Sequence, residues 1–78
     1  MRLALPAEML VDVDYWEVDP DWDGKVFHSA VQVVRPRKNG SFSGEVLIPA
    51  MPGDRPVCVR FVYVDGQQSR KLLTKPAG

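Results

Sequence analysis

Pro56-Val57-Cys58-Val59-Arg60-Phe61-Val62-Tyr63-Val64 is the most strand-like stretch of the chain, and its reading decides the fold. β-Branched and aromatic side chains dominate it, and a period of two puts Val57, Val59, Phe61 and Tyr63 on one face of a sheet, with Cys58, Arg60, Val62 and Val64 on the other. Downstream, Asp65-Gly66 signals a hairpin and Gln68 to Thr74 a returning strand. Upstream, Pro49, Pro52, Gly53 and Asp54 form a loop, preceded by a strand from Ser43 to Ile48. Before that, Asn39-Gly40 supplies the positive φ angles of a tight turn. The run from Lys25 to Arg35 reads as a long strand with Phe27, Ser29, Val31 and Val33 toward the core. Val11, Val13 and Tyr15 alternate with Asp12, Asp14 and Trp16, which assigns Trp16 to the face opposite the first three. Only residues 4–10, ALPAEML, can make a helical turn. This pattern predicts an all-β fold, a small antiparallel β-sandwich of five to six strands or a small barrel. Residues 1–78 form one β domain, with 1–9 as an N-terminal extension and 75–78 as a frayed tail.

Composition narrows the class. The chain has 78 residues, 45% of them hydrophobic and 26% charged, as in an ordinary soluble domain. At this size folding buries only roughly 60% of the surface that the unfolded chain exposes, so stability is modest. No stretch approaches the roughly 20 apolar residues of a membrane span. Cys58 is the sole cysteine, which excludes an internal disulfide and favours a reducing, cytoplasmic setting. The start MRLALPAEMLVDVD turns acidic too soon to read as a signal peptide. The formal net charge of zero hides a segregation: residues 1–24 carry seven acidic side chains against Arg2, and the rest nine Lys or Arg against Glu45, Asp54 and Asp65.

Four groups of residues invite a functional reading. Asp19, Asp21, Asp23 and Gly24 match the first half of an EF-hand loop, in which alternate oxygen ligands precede a glycine. The second half fails, because Ala30 stands where the bidentate glutamate belongs. The competing reading is an acidic hairpin turn in which Pro20 presets φ and Asp23-Gly24 reverses the chain. Trp22 lies in that acidic run as a candidate protein contact, whereas Trp16 reads as core. Arg35, Arg37 and Lys38 flank Pro36 as candidate nucleic-acid contacts, able to neutralise phosphates without reading sequence. His28 and Cys58 are the only pair that could constitute a nucleophile and base, and that would require them to share a face beside an orienting third group. One Cys and one His offer no zinc spacing. Gly40-Ser41-Phe42-Ser43-Gly44 has Phe42 where a nucleophile elbow needs serine.

The string Val13-Asp14-Tyr15-Trp16-Glu17-Val18-Asp19, then Asp21-Trp22-Asp23-Gly24-Lys25-Val26-Phe27-His28-Ser29, then Gln32 and Arg35-Pro36-Arg37-Lys38, resembles the far C-terminal segment of bacterial adenine-specific DNA methyltransferases of the type III-like restriction-modification kind. The likeness covers about residues 11–75 and is looser after Pro36, where Val57 to Gly66 keeps the alternation and Asp65 but lacks the Phe-Gly ending of the family pattern. It implies a non-catalytic C-terminal domain with an immunoglobulin- or PKD-like β-sandwich, assisting DNA engagement or assembly. Its partners would be the methyltransferase catalytic domain or subunit and the DNA backbone, not a membrane. Neither the Asp/Asn-Pro-Pro-aromatic tetrad nor a glycine-rich loop for S-adenosylmethionine is present, so the resemblance calls for no cofactor here. The alternative is a calcium-stabilised β-sandwich interaction module with Asp19, Asp21 and Asp23 as ligands of Ca2+.

Overall fold

The computed structural model describes residues 2–35, 44–49 and 51–73. They form six strands, β1 (Arg2–Ala4), β2 (Val13–Asp19), β3 (Val31–Val34), β4 (Glu45–Leu47), β5 (Val57–Tyr63) and β6 (Gln68–Leu73), with a single 3₁₀ turn at Ala7–Leu10. All pairings are antiparallel. A four-stranded sheet runs in the order β3-β2-β5-β6, and β1 and β4 make a two-stranded sheet. The architecture is therefore the small all-β sandwich that the alternation implies.

The core lies between the sheets. Val13, Trp16, Val18, Val57, Val59 and Phe61 from the large sheet meet Leu3, Leu5, Leu10 and Ile48, with Val31, Val33, Tyr63 and Leu73 packed against them. The face assigned to Val57, Val59, Phe61 and Tyr63 is the core face, and Trp16 is fully buried. Burying an aliphatic or aromatic side chain of this kind contributes roughly 1.5–3 kcal/mol. In so small a chain each such residue is a large share of the total.

Several expectations change. Residues 1–9 are more than an extension: β1 pairs with β4 in the register Leu3↔Val46 and points Leu3 inward. Gly44 admits this pairing, because a Cβ there would lie 2.3 Å from the Leu5 carbonyl oxygen. Trp16 does not oppose Val13. A β-bulge between Val13 and Tyr15 inserts one residue, so Val13, Trp16 and Val18 share the core side while Tyr15 moves to the other. The long strand foreseen from Lys25 reduces to β3; Phe27 and Ser29 belong to a connection, and only Val31 and Val33 of the expected set face the core. The Asn39-Gly40 turn, Thr74 and the expected tail lie outside the described residues.

The hairpin between β5 and β6 follows from its chemistry. Gly66 N–H donates to the Tyr63 carbonyl at 2.9 Å, Gln67 N–H to Asp65 Oδ1 at 3.0 Å, and Gly66 has φ +88°. That is the three-residue loop with a left-handed glycine, which matches the twist of the strands it joins. Among the described residues no helix is long and apolar enough to cross a membrane.

Candidate functional site

The acidic run does not make a tight hairpin turn. Residues 20–30, between β2 and β3, fold as a strap across the outer face of the large sheet, the face turned away from the core. This explains a burial pattern that a one-sided sheet would not show: in β2 the last four residues, Trp16 to Asp19, are all buried, and in β5 Cys58 and Val62 are buried as well as the core-facing set.

Asp19 anchors the strap. Only 1% exposed, it accepts from the main-chain N–H of Asp21 at Oδ1 (3.0 Å) and of His28 at Oδ2 (2.9 Å), which ties both ends of the segment to one carboxylate. The His28 ring is a looser partner, with Nδ1 3.8 Å from the same Oδ2. Asp23 Oδ1 accepts from Lys25 and Val26 N–H at 2.8 and 3.0 Å and caps the bend at Gly24, whose φ is +85°. These two bonds hold the Asp23 carboxyl below its ordinary range. Asp21 Oδ2 lies 3.8 Å from Arg55 Nη1. Thus Asp19 and Asp23 serve as Asx-type anchors of the backbone, and Asp21 reaches sideways to a cation. Among the described residues no three His, Cys, Asp or Glu side chains stand close enough together to hold a metal ion.

Beneath the strap runs a row of charge. Glu17 on β2, Arg60 on β5 and Arg70 on β6 lie opposite one another across three strands. Arg60 Nε donates to Glu17 Oε1 at 3.1 Å and Nη2 donates to the same oxygen. Burial pushes the Glu17 carboxyl up, but hydrogen bonds from Arg60 and Ser29 and the guanidinium charge outweigh it and hold the group below its usual range. The strap's aromatics cover the cations: the Arg60 guanidinium sits 4.6 Å from the Phe27 ring centre, Arg70 sits 5.4 Å from that of Trp22, and the two rings are 6.4 Å apart. Trp22 N–H also donates to the Pro56 carbonyl at 3.1 Å. Trp22 is half-buried in this assembly and helps to hold the strap.

Cys58 and His28 both approach Asp19, Cys58 as its partner across β2 and β5 and His28 through the bonds above. The thiol is fully buried, and desolvation raises its pKa, the opposite of what a nucleophilic thiolate requires. A cleft of about 350 Å³ opens beside the strap, lined by Asp19, Asp21, Asp23, His28, Met51 and Arg55 among others. Cys58 does not line it.

Arg35 is a structural residue. Its Nε donates to the Val13 carbonyl at 2.9 Å and Nη2 to that of Leu10 at 3.1 Å, while its own N–H bonds the Asp14 carbonyl at 3.0 Å. It thereby fastens the bend that leads into the bulge. Arg37 and Lys38 lie outside the described residues. The sequence reading missed the Glu17–Arg60–Phe27 stack. Its signal was present in Glu17 and Arg60 at central positions of two strands, where isolated charges need partners. No family model, curated protein or solved structure matches the chain.

Proposed function

We propose that the chain is a non-catalytic accessory β domain that works by contact, in the setting its resemblance implies, the C-terminal side of an adenine-specific DNA methyltransferase. The observation carrying this reading is where the signature residues go. Trp16 fills the core, Asp19 and Asp23 bind backbone N–H groups, Phe27 caps Arg60 and Trp22 meets Arg70. A motif spent on shaping a strap supports a scaffold, since each of these side chains already has a partner within the fold.

Assembly with the catalytic domain is the favoured role. Arg35 is committed to main-chain carbonyls, which reduces the basic cluster proposed for DNA to Arg37 and Lys38. Fluorescence anisotropy with duplex DNA at rising salt tests the DNA part: two phosphate contacts give a log–log slope of about −2, abolished by the paired substitutions Arg37→Ala and Lys38→Ala. Absence of binding at low salt removes DNA engagement and leaves the protein contact. Sedimentation of the domain with a methyltransferase catalytic domain tests that contact, and two species that sediment independently at micromolar concentrations refute it.

A further inference from the structure

β6 ends the large sheet, and β5 is its only neighbour among the described residues. In the register Val59↔Lys71 and Phe61↔Ser69, with Tyr63 N–H bonded to the Gln67 carbonyl, the main-chain groups of Ser69, Lys71 and Leu73 face β5. Those of Gln68, Arg70 and Leu72 therefore point outward, as antiparallel alternation requires. All three residues are exposed, Leu72 at 56% despite being apolar. Between Asp65 and Leu73 the strand carries two adjacent cations, Arg70 and Lys71, and no acid. On the core side an open groove of about 480 Å³ runs alongside, lined by Phe61 and Tyr63 of β5, by Lys71 of β6 and by Met9 and Val11 near the 3₁₀ turn, with the acids Glu8 and Asp12 on its far wall, so that it suits apolar side chains and the outer face of β6 suits acidic ones.

We infer that the outer edge of β6 is a docking site for an extended acidic segment of a partner protein, which adds to the large sheet as a further antiparallel strand. This takes the protein-contact reading one step further and rests on it only in requiring a partner chain. Main-chain bonds to Gln68, Arg70 and Leu72 supply the pairing, and alternate side chains supply selectivity. An acidic residue opposite Arg70 completes the outer-face row of Glu17, Arg60 and Arg70, in which Arg60 holds the one carboxylate and Arg70 meets only the Trp22 ring among the described residues. Apolar residues on the other side of the added strand turn toward the groove beside Ser69 and Lys71.

A second copy of the chain is the obvious rival occupant, and charge opposes it. Pairing β6 with itself must match outward residues with outward residues. The register centred on Arg70 sets Arg70 against Arg70, and the register shifted by one step toward Leu73 sets Lys71 against Lys71. Like charges directly opposite are destabilising. The two remaining registers, centred on Ser69 and on Leu72, pair only three residues of each strand. The same charges that discourage self-association suit an acidic strand.

The test uses amide hydrogen exchange and chemical-shift titration of the 78-residue chain with a short capped peptide alternating glutamate and valine, against the same peptide with lysine for glutamate. The inference expects protection of the Gln68, Arg70 and Leu72 amides by the glutamate peptide and at least about tenfold weaker binding of the lysine peptide. Leu72→Pro removes an outward N–H without touching the bonds to β5, so it should abolish that protection while the fold persists. Arg70→Glu, which leaves the backbone intact and reverses the charge that the partner's acid would face, should reverse the preference between peptides and decides the matter if the proline variant fails to fold. Equal binding of both peptides, protection elsewhere, or a concentration-dependent homodimer that protects the same three amides overturns the inference. Because the peptide is tested without any methyltransferase or DNA, its failure is separable from failure of the accessory-domain reading.

Discussion

Replacing Arg60 by methionine should destabilise the domain far more than its partial exposure suggests. The substitution keeps an unbranched chain across the outer face but leaves Glu17, 8% exposed, without its main partner. Removing one member of a buried pair costs about 3–5 kcal/mol. Arg60 is 27% exposed at the side chain and Arg70 stands next in the row, so screening and partial replacement reduce this to roughly 2 kcal/mol. Loss of the guanidinium over Phe27 adds roughly 0.5–1 kcal/mol. A total of about 3 kcal/mol is large against the roughly 4–12 kcal/mol expected for a chain of this length. At about 4–8 °C per kcal/mol, the melting temperature should fall by at least roughly 12 °C.

The pH dependence separates this cause from mere loss of packing. In the native protein the folded Glu17 pKa lies below its unfolded value, so its contribution is fully present above the unfolded pKa and lost as pH falls through the folded one. In Arg60→Met, burial is opposed only by the Ser29 hydrogen bond, a smaller effect, and raises the folded pKa above the unfolded one. The variant then loses stability as pH rises from the unfolded pKa to the folded one. Circular-dichroism melts should therefore show a wide gap between the two proteins at neutral pH and a narrower one near about pH 3.5. Glu17→Gln combined with Arg60→Met should recover most of the loss, since no buried charge is left unpaired. A gap that is equally wide at both pH values, or a double variant no better than Arg60→Met alone, would contradict the argument.

Other substitutions probe the remaining devices. Gly44→Ala drives a Cβ against the Leu5 carbonyl and should loosen the β1–β4 pair at a cost of about 2–3 kcal/mol, read by urea unfolding. A midpoint unchanged by that substitution would show that β1 can shift without consequence. Asp19→Ala removes the acceptor of two main-chain N–H groups and should cost about 2–3 kcal/mol. Amide exchange at Asp21 and His28 should accelerate while Val59 in central β5 stays protected; uniform acceleration would mean that the strap and sheet open together. Thermal melts with calcium and with chelator should coincide, because Asp19 and Asp23 are engaged by backbone donors. A midpoint raised by calcium would restore the metal reading, since a ion bound only by the folded state must stabilise it.

The sheet was legible where local pattern and tertiary environment agree. Val57 to Tyr63 alternates, is flanked by Pro56 and Asp65-Gly66, and forms the centre of the large sheet with the foreseen face inward. The β2 phase was not legible, because a bulge is set by pairing with β5 and a one-residue slip exchanges every subsequent face. β1 escaped notice for a related reason. Leu3 and Leu5 alternate with Arg2 and Ala4, but a three-residue strand draws its stability from β4 and the core and not from its own propensity. The strap was misread most fully. Phe27 and Ser29 continue a strand-like alternation in sequence, yet Asp19 captures the His28 N–H and Phe27 has a cation to cover, so side-chain chemistry overrides strand propensity there.

The charge segregation finds a physical explanation in this strap. The acidic first third and the basic remainder meet across the outer face: Glu17 with Arg60, and Asp21 with Arg55. Folding brings together segments far apart in sequence, so the attraction favours the native register of β2 against β5. The wrong register is disfavoured by the same charges, because a one-residue slip would turn Glu17 and Arg60 to opposite faces of the sheet. The row nevertheless ends unbalanced. Arg70 lies beyond Arg60, shielded by Trp22 but without a carboxylate partner among the described residues, and Lys71 follows it on the opposite face. Charge is thus internally compensated at the centre of the sheet and, among the described residues, unmatched at its β6 edge, where outward main-chain groups also have no neighbouring strand. The physics that fixes the register of β2 and β5 leaves that edge selective for an acidic strand.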